Sequence, residues 1–273
     1  MKKIIAMLLA LTMVLAFAGC AKTEAPATTA APETTAAPAT EAPTEAPETE
    51  APATEAAEAA AMTHEEYMAA ELDTEVTVET YVQATQSWWD GKITIYCQSP
   101  DGAYFAYNVA CSEEDAAKLV PGTKVAITGF KGEWSGEVEI MDGTVTIPAD
   151  GDTFVAEALD VTELLGTEEL IAHQNERVAF TGMTVEACND AGDAFQYNWD
   201  GSGAEGSDSD LYFNASVGGN TYTFVIEYYL CNAESEAYKA VQALKVGDVI
   251  NMEGFLYWYE GAQPHITSVT VAE

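Results

Sequence analysis

The sequence predicts a mainly β protein. Two tandem five-stranded barrels, each with a short helix between its third and fourth strands, follow a signal peptide and a disordered linker. Three observations predict this. First, one stretch occurs twice: LVPGTKVAITGFKGEWSG at 119–136 returns as LKVGDVINMEGFLYWYEG at 244–261, at a constant offset of 125. Leu119 maps to Leu244, Gly122 to Gly247, Gly129 to Gly254, Phe130 to Phe255, Trp134 to Tyr259 and Gly136 to Gly261. A fixed-period echo marks one unit built twice. Second, strand, turn and helix signals run in the same order around both copies. Third, six of the ten prolines fall in residues 21–61, a segment almost wholly Ala, Thr, Glu and Pro. That segment has no apolar periodicity with which to bury a core.

Residues 1–20 open the chain with Lys2 and Lys3, then an apolar run from Ile4 to Ala18. This is the form and length of a secretory signal, and it is short for a membrane span. The segment Phe17-Ala18-Gly19-Cys20 resembles a bacterial lipobox, with Phe17 where Leu is usual. The resemblance implies that Cys20 is diacylglyceryl-modified and becomes the N-terminus. Two acyl chains anchor a protein stably where one would not. The expected location is therefore outside the cytoplasm, on the outer face of the bacterial cell membrane. The linker, extended at about 3.1 Å per residue, would reach on the order of 100 Å as a stalk.

The first repeat is placed at 62–150. Thr63-His64-Glu65-Glu66 reads as a capping box that opens a short helix through Leu72. A long strand follows at Glu75–Gln86, with Val76, Val78 and, past a bulge, Tyr81 facing inward. Trp88-Trp89-Asp90-Gly91 supplies a turn. Lys92–Gln98 alternates Ile93, Ile95 and Cys97 on one face with Thr94 and Tyr96 on the other. Ser99-Pro100-Asp101-Gly102 turns the chain into a third strand, Ala103–Cys111. Ser112 caps a short helix with acids at its positive end, and Pro121-Gly122 breaks it. Lys124–Trp134 and Glu137–Ile147 form the last hairpin, with Gly129 and Gly132 easing its bend.

The second repeat is placed at 151–273. Leu164, Leu165, Leu170 and Ile171 suggest a helical lead-in over Asp160–Asn175. Arg177–Cys188 matches the first long strand, Val178 with Val76 and Phe180 with Val78. A long insert spans Asn189–Asp210. Strands Leu211–Val217 and Tyr222–Cys231 flank the hairpin signal Gly218-Gly219-Asn220. Tyr238, Val241 and Leu244 share one face of a helix at Glu234–Leu244. Asp248–Tyr259 and Pro264–Val271 complete the set. Three strands, a helix and two strands resemble the OB-fold, a five-stranded Greek-key barrel. The whole chain resembles tandem OB-fold lipoproteins of Gram-positive bacteria. That resemblance implies an extracytoplasmic accessory or binding protein and brings no catalytic residues with it.

The chain carries 45 acids and 10 bases, a net charge of −35; residues 62–273 alone hold 37 acids against seven bases. Such a field repels phosphate backbones and anionic lipid. It serves solubility, or draws a cation or a cationic partner.

Two features could carry binding chemistry. The insert NDAGDAFQYNWDGSGAEGSDSD brings Asp190, Asp193, Asp200, Asp208 and Asp210 onto flexible backbone. Ca²⁺ takes six to eight oxygens in loose geometry, so these are candidate ligands; a solvated acidic loop is the other reading. The aromatics Trp88, Trp89, Trp134, Trp199, Tyr257, Trp258 and Tyr259 fall in inter-strand loops where OB-folds bind oligonucleotides and oligosaccharides. They either stack on a ligand or plug the barrel ends. Cys188 and Cys231 would end strands on one barrel rim, near enough for a disulfide, while Cys97 reads as a buried thiol.

The sequence thus favours a lipid-anchored binding or scaffold module, non-enzymatic, for a glycan, peptide or protein partner at the cell surface. The alternatives are an OB-fold hydrolase or a nucleic-acid-binding protein. The negative charge and the single arginine, Arg177, stand against both. Ser/His/Asp spacing, a nucleophile elbow and HExxH are absent from the sequence. Cys20→Ala should move the protein from the membrane fraction to the soluble fraction; retention of an unlipidated variant would refute the lipobox.

Overall fold

A computed structural model of the chain describes residues 60–149 and 151–272. The expected signal segment, Cys20 and the linker up to residue 59 lie outside the described residues.

The first helix, α1 (His64–Ala69), starts on the predicted capping box. Thr63 Oγ1 accepts from the Glu66 N–H, and the Glu66 carboxylate accepts from the Thr63 N–H. Five strands follow: β1 (Glu75–Thr85), β2 (Lys92–Ser99), β3 (Gly102–Ala110), β4 (Lys124–Trp134) and β5 (Glu137–Thr146). They close a barrel in the order β1-β2-β3-β5-β4. The short helix α2 (Glu113–Ala116), capped by Ser112, lies between β3 and β4. The β3–β5 pairing is parallel and the other four are antiparallel. Alternating apolar residues fill the barrel: Val76 and Val78 from β1, Ile95 from β2, Ile127 from β4 and Ile140 from β5.

The second copy repeats this plan. It contains β6 (Leu159–Asp160), β7 (Arg177–Glu186), β8 (Phe195–Tyr197), β9 (Leu211–Val217), β10 (Asn220–Ile226), α3 (Glu236–Gln242), β11 (Val249–Phe255) and β12 (His265–Val271). Pairing of β7 with both β11 and β9 closes a five-stranded barrel, with β6 and β8 added at its margins. The β10–β12 pairing is parallel, as β3–β5 is. Phe180, Phe213, Phe224 and Val241 are central to its own core. Tyr238, Val241 and Leu244 of the predicted helical face are all buried there.

The repeat extends to hydrogen-bond register. Val76 pairs with Gly129 and Val78 with Ile127 in the first barrel; Val178 pairs with Gly254 and Phe180 with Met252 in the second. The glycine is required by close approach. A Cβ on Gly129 would lie 2.7 Å from the Met141 carbonyl oxygen, and one on Gly254 would run into the His265 carbonyl. Each glycine sits where the register shifts, in the β4–β5 and β11–β12 pairings respectively.

The two barrels fall within one compact unit. A third apolar cluster, Tyr96, Phe105 and Phe255, joins them. Tyr96 stacks on Phe255 at 4.7 Å between centroids and meets Phe105 edge-on at 5.0 Å. Polar bonds surround this cluster. Arg177 N–H donates to Gln98 Oε1 at 2.8 Å, Ser87 N–H to the Tyr229 carbonyl at 2.8 Å, and Glu260 N–H to the Ser135 carbonyl at 2.8 Å.

Four local expectations are corrected. Tyr81 is not inward: the β1 bulge comes later, between Val82 and Ala84, so Thr80 and Val82 face the core. Tyr81 instead donates its hydroxyl to Asp152 at 2.8 Å and meets Phe154 edge-on. Residues 152–156 therefore pack on the first barrel, although the repeat boundary was placed at 150. The lead-in 160–175 holds two short 3₁₀ turns, Thr162–Leu164 and Leu170–His173, rather than an α-helix. Asp160 Oδ1 accepts from both the N–H and the hydroxyl of Thr162, and that local turn displaces helical pairing. Strand β10 stops at Ile226, because the Glu227 carboxylate accepts from the N–H groups of Tyr229 and Leu230 and turns the chain before Cys231.

Equivalent positions differ in burial, which sets up a stability test. Phe255 is 4% exposed and Phe130 is 43% exposed. Phe255→Ala should cost about 3–5 kcal/mol in urea denaturation, and Phe130→Ala under about 1 kcal/mol. Equal losses would contradict the interface assignment.

Candidate functional site

A cleft of about 930 Å³ opens where the two barrels meet. Strand β3 and the following elements of the first barrel give it Phe105, Tyr107, Trp134, Glu139 and Met141. The second barrel gives Trp199, Asp210, Tyr212, Glu227, Tyr229, Tyr257, Tyr259, Glu260 and His265. The first barrel's residues come from strand faces turned away from its core. On β3, Tyr104 and Ala106 point into the barrel, so Phe105 and Tyr107 point out toward the partner barrel.

An aromatic ladder forms the floor. Phe105 stacks toward Tyr107 at 6.4 Å and meets Tyr257 edge-on at 5.3 Å. Tyr257 lies flat on His265 at 4.2 Å and 18°. His265 Nδ1 lies 2.7 Å from the Tyr96 hydroxyl, in a fully buried contact. That hydroxyl also accepts from Gln86 Nε2 at 3.4 Å. Burial pushes the His265 pKa down to about 3, and the ring is neutral at physiological pH.

The walls are acidic. Burial raises Glu139 to about 7. Burial also raises Glu227 to about 7, with Asp210 nearby adding to the shift and two backbone N–H donors opposing it. Asp210 is raised by burial as well, although it accepts from the Tyr228 N–H at 2.9 Å. Two residues before Glu139, Glu137 is wholly buried and pushed up to about 8 by that burial. Its Oε2 accepts from the Trp258 N–H at 2.8 Å and from Gln174 Nε2 at 3.3 Å. Its Oε1 and the neighbouring Asn175 Oδ1 are both buried acceptors without a donor. Burial outweighs the Asn175, Trp258 and Gln174 hydrogen bonds, which pull the Glu137 pKa the other way.

The structure gathers four of the seven predicted aromatics, Trp134, Trp199, Tyr257 and Tyr259, into this cleft. Trp199 is 75% exposed there. The other three lie elsewhere. Trp88 packs on the first core, donates its ring N–H to the Cys111 carbonyl, and borders a separate cavity of about 540 Å³. Trp89 is 82% exposed at the tip of the β1–β2 hairpin. Trp258 packs on the second core, with its ring against Gly136. Glu139, Glu227, Tyr107 and Tyr212 were missed. Their signal is weak but real: Tyr107, Glu139 and Tyr212 are bulky or acidic residues on strand faces opposite the core, and Glu227 follows directly on β10.

The five aspartates of the acidic insert do not gather into one cluster. Among the described residues, His, Cys, Asp and Glu nowhere group in threes that could hold an ion. The five aspartates have diverged in use. Asp193 accepts from Asn189 Nδ2 and Asp200 from the Ser202 N–H; Asp210 turns into the cleft, and Asp190 and Asp208 are exposed. The Cys188–Cys231 disulfide is not formed, and Cys97, Cys111, Cys188 and Cys231 are all free thiols. Cys231 is buried in the second core beside the Glu227 turn, whereas Cys188 bonds through its N–H to the Asp193 carbonyl in the insert.

Buried acids with raised pKa values set a direction for stability against pH. Each stays protonated in the folded chain above its ordinary value of 4.5, while the unfolded chain releases the proton. Their contribution is complete below pH 4.5 and is lost as pH rises through 7 to 8. The melting temperature should therefore fall between pH 5 and pH 8.5. Glu137→Gln, which removes the titrating group, should flatten that fall; an unchanged slope would count against the protonated state.

No protein-family model and no curated sequence matches the chain. Among solved structures it is similar to the Ifi202 HINa domain in complex with a 20-base-pair DNA duplex, at 14% identity and TM-score 0.30, over 74% of this chain and 96% of that one. It is similar to a murine DNA-binding protein bound to double-stranded DNA, at 11% identity and TM-score 0.31, over 73% and 99%. A replication protein A heterotrimer bound to single-stranded DNA is similar at 10% identity and TM-score 0.30, over 76% and 51%. At these identities and scores the likeness carries no argument about ligands. The OB-fold assignment rests on the strand order and the parallel β3–β5 and β10–β12 pairings.

Proposed function

We propose that the chain is a non-enzymatic binding module that takes a glycan or a peptide into the cleft between its OB-fold barrels. Cys20 would hold it on the outer face of the bacterial cell membrane, with the linker as a stalk. The supporting observation is the cleft itself: about 930 Å³, aromatic from both barrels, and without lysine or arginine among its described lining residues. Pockets of this size suit a ligand of a few sugar rings or amino-acid residues. Flat rings on a half-open wall offer stacking surface at little conformational cost.

The same lining disfavours nucleic acid, whose phosphates are held chiefly by Lys and Arg. It also gives the hydrolase reading little support. The cleft's histidine is neutral, buried and already bonded to Tyr96. Glu139 and Glu227 have pKa values suited to proton transfer, but the lining offers no serine or cysteine nucleophile.

A thermal-shift panel of cell-wall and dietary glycans, peptides, Ca²⁺ and single-stranded DNA tests the reading, because a ligand of the folded state raises the melting temperature by mass action. Trp199→Ala should leave the unliganded melting temperature unchanged and weaken a stacking ligand by about 1–3 kcal/mol. A saturable shift that survives in Trp199→Ala would place the ligand elsewhere. A shift with DNA alone would overturn the proposal.

A further inference from the structure

We infer that the ligand of this cleft carries a positively charged nitrogen, an alkylammonium or guanidinium group, held between the aromatic faces and the carboxylates of Glu139 and Glu227. This rests on the cleft being the binding site proposed above, and it narrows what the site takes.

Charge inside the cleft is the first support. Four carboxylates line it, from Glu139, Asp210, Glu227 and Glu260, and none of its described lining residues is a lysine or arginine. Its histidine cannot serve as a counter-charge, because burial keeps the ring neutral. The groups around the two central acids do not help either. Glu139 has Glu137, Tyr67 and Tyr257 as titratable neighbours. Glu227 has Asp210, Tyr96, Tyr212 and Cys231. Lys131, on the strand beside Glu139, spends its Nζ on the carbonyls of Met68 and Ala70. The acids are thus desolvated without a cation to repay them.

Ring chemistry is the second support. Trp134, Trp199, Tyr257 and Tyr259 present their rings to the same space. An aromatic face attracts an ammonium or guanidinium within about 6 Å, most strongly where water is thinned out. A neutral ligand would use the rings and could meet the carboxylates only with hydroxyl or amide hydrogen bonds, without a counter-charge. An anionic ligand would be repelled.

The third support is the field of the whole molecule. With 37 acids against seven bases in residues 62–273, the surface concentrates cations before they reach the cleft.

A cation beside Glu139 and Glu227 stabilises their ionised forms and draws both pKa values down, so its uptake expels protons near neutral pH. Lysine-type and quaternary ammonium groups stay charged throughout that range. Affinity should therefore rise from pH 5.5 to pH 8.

The test is calorimetric titration of the full chain with matched pairs that differ in charge. Nα-acetylated tri-lysine amide is set against the same peptide with every Nε acetylated, and choline against its uncharged isostere 3,3-dimethyl-1-butanol. The first pair represents a peptide source of the charge and the second a free organic cation. The expected result is a charged member binding about tenfold more tightly than its neutral twin, or better, at pH 8, with proton release and with weakening at pH 5.5. Glu139→Gln and Glu227→Gln should each erase most of that preference while the variant still melts cooperatively at pH 5.5 and still binds the neutral twin. If Glu227→Gln unfolds the turn it caps, Glu139→Gln alone carries the test. Binding of both twins with equal affinity would overturn the inference and leave the cleft as a binding site. Failure of every probe, with no response to neutral glycans or peptides, would overturn both.

Discussion

The burial of Tyr96 against Phe255 is the contact on which the rest of the structure depends. Each ring is nearly fully excluded from water, and side chains of this kind contribute about 1.5–3 kcal/mol through burial alone. The contact also fixes geometry. Tyr96 reaches past Phe255 to His265, and His265 lies flat under Tyr257, so one chain of touching rings runs from the interface to the cleft floor. Displacing one barrel would break the stack and the backbone bonds at Ser87, Arg177 and Glu260 together. The cleft is therefore a built cavity whose walls come from separately closed barrels.

Duplication supplied two identical plans, and the cleft exists because they diverged. Register, bulges and the close-approach glycines are kept in both copies. The outer surfaces are not. The aromatic after the glycine is exposed as Phe130 in one barrel and buried as Phe255 in the other. The first connection is a tight hairpin at Trp89 in one copy and a long insert carrying Trp199 in the other. The barrels meet through non-equivalent faces, and this asymmetry leaves a concave surface rather than a sealed contact.

Most of the fold was legible in the sequence, for a definite reason. Strands alternate with period two and hairpins need particular turn residues, so both leave short-range marks. Lys124–Trp134 and Leu211–Val217 were bounded to the residue by those marks. Local polar competition was harder to see. Leu164, Leu165, Leu170 and Ile171 have helical spacing, but Asp160 binds Thr162 and Gly166 takes a left-handed turn, and the segment breaks into 3₁₀ pieces. The site was only half legible. Trp134, Trp199, Tyr257 and Tyr259 stand out by type. Glu139 and Glu227 do not, since their distinction lies in desolvation by a partner barrel far away in sequence. Trp88 and Trp258 show the converse: chemically conspicuous side chains can be spent on packing.

Residues 152–156 have a practical consequence for anyone dissecting the molecule. Ala156 N–H donates to Gln83 Oε1 in the first barrel, while the Ala156 carbonyl accepts from Arg177 at the start of the second. A cut at the repeat boundary severs this strap from the barrel it covers. It also bares Tyr96 and Phe105 on one fragment and Phe255 on the other, two complementary sticky faces. The halves of this duplicated chain are therefore poor candidates for separate expression, grafting or domain shuffling.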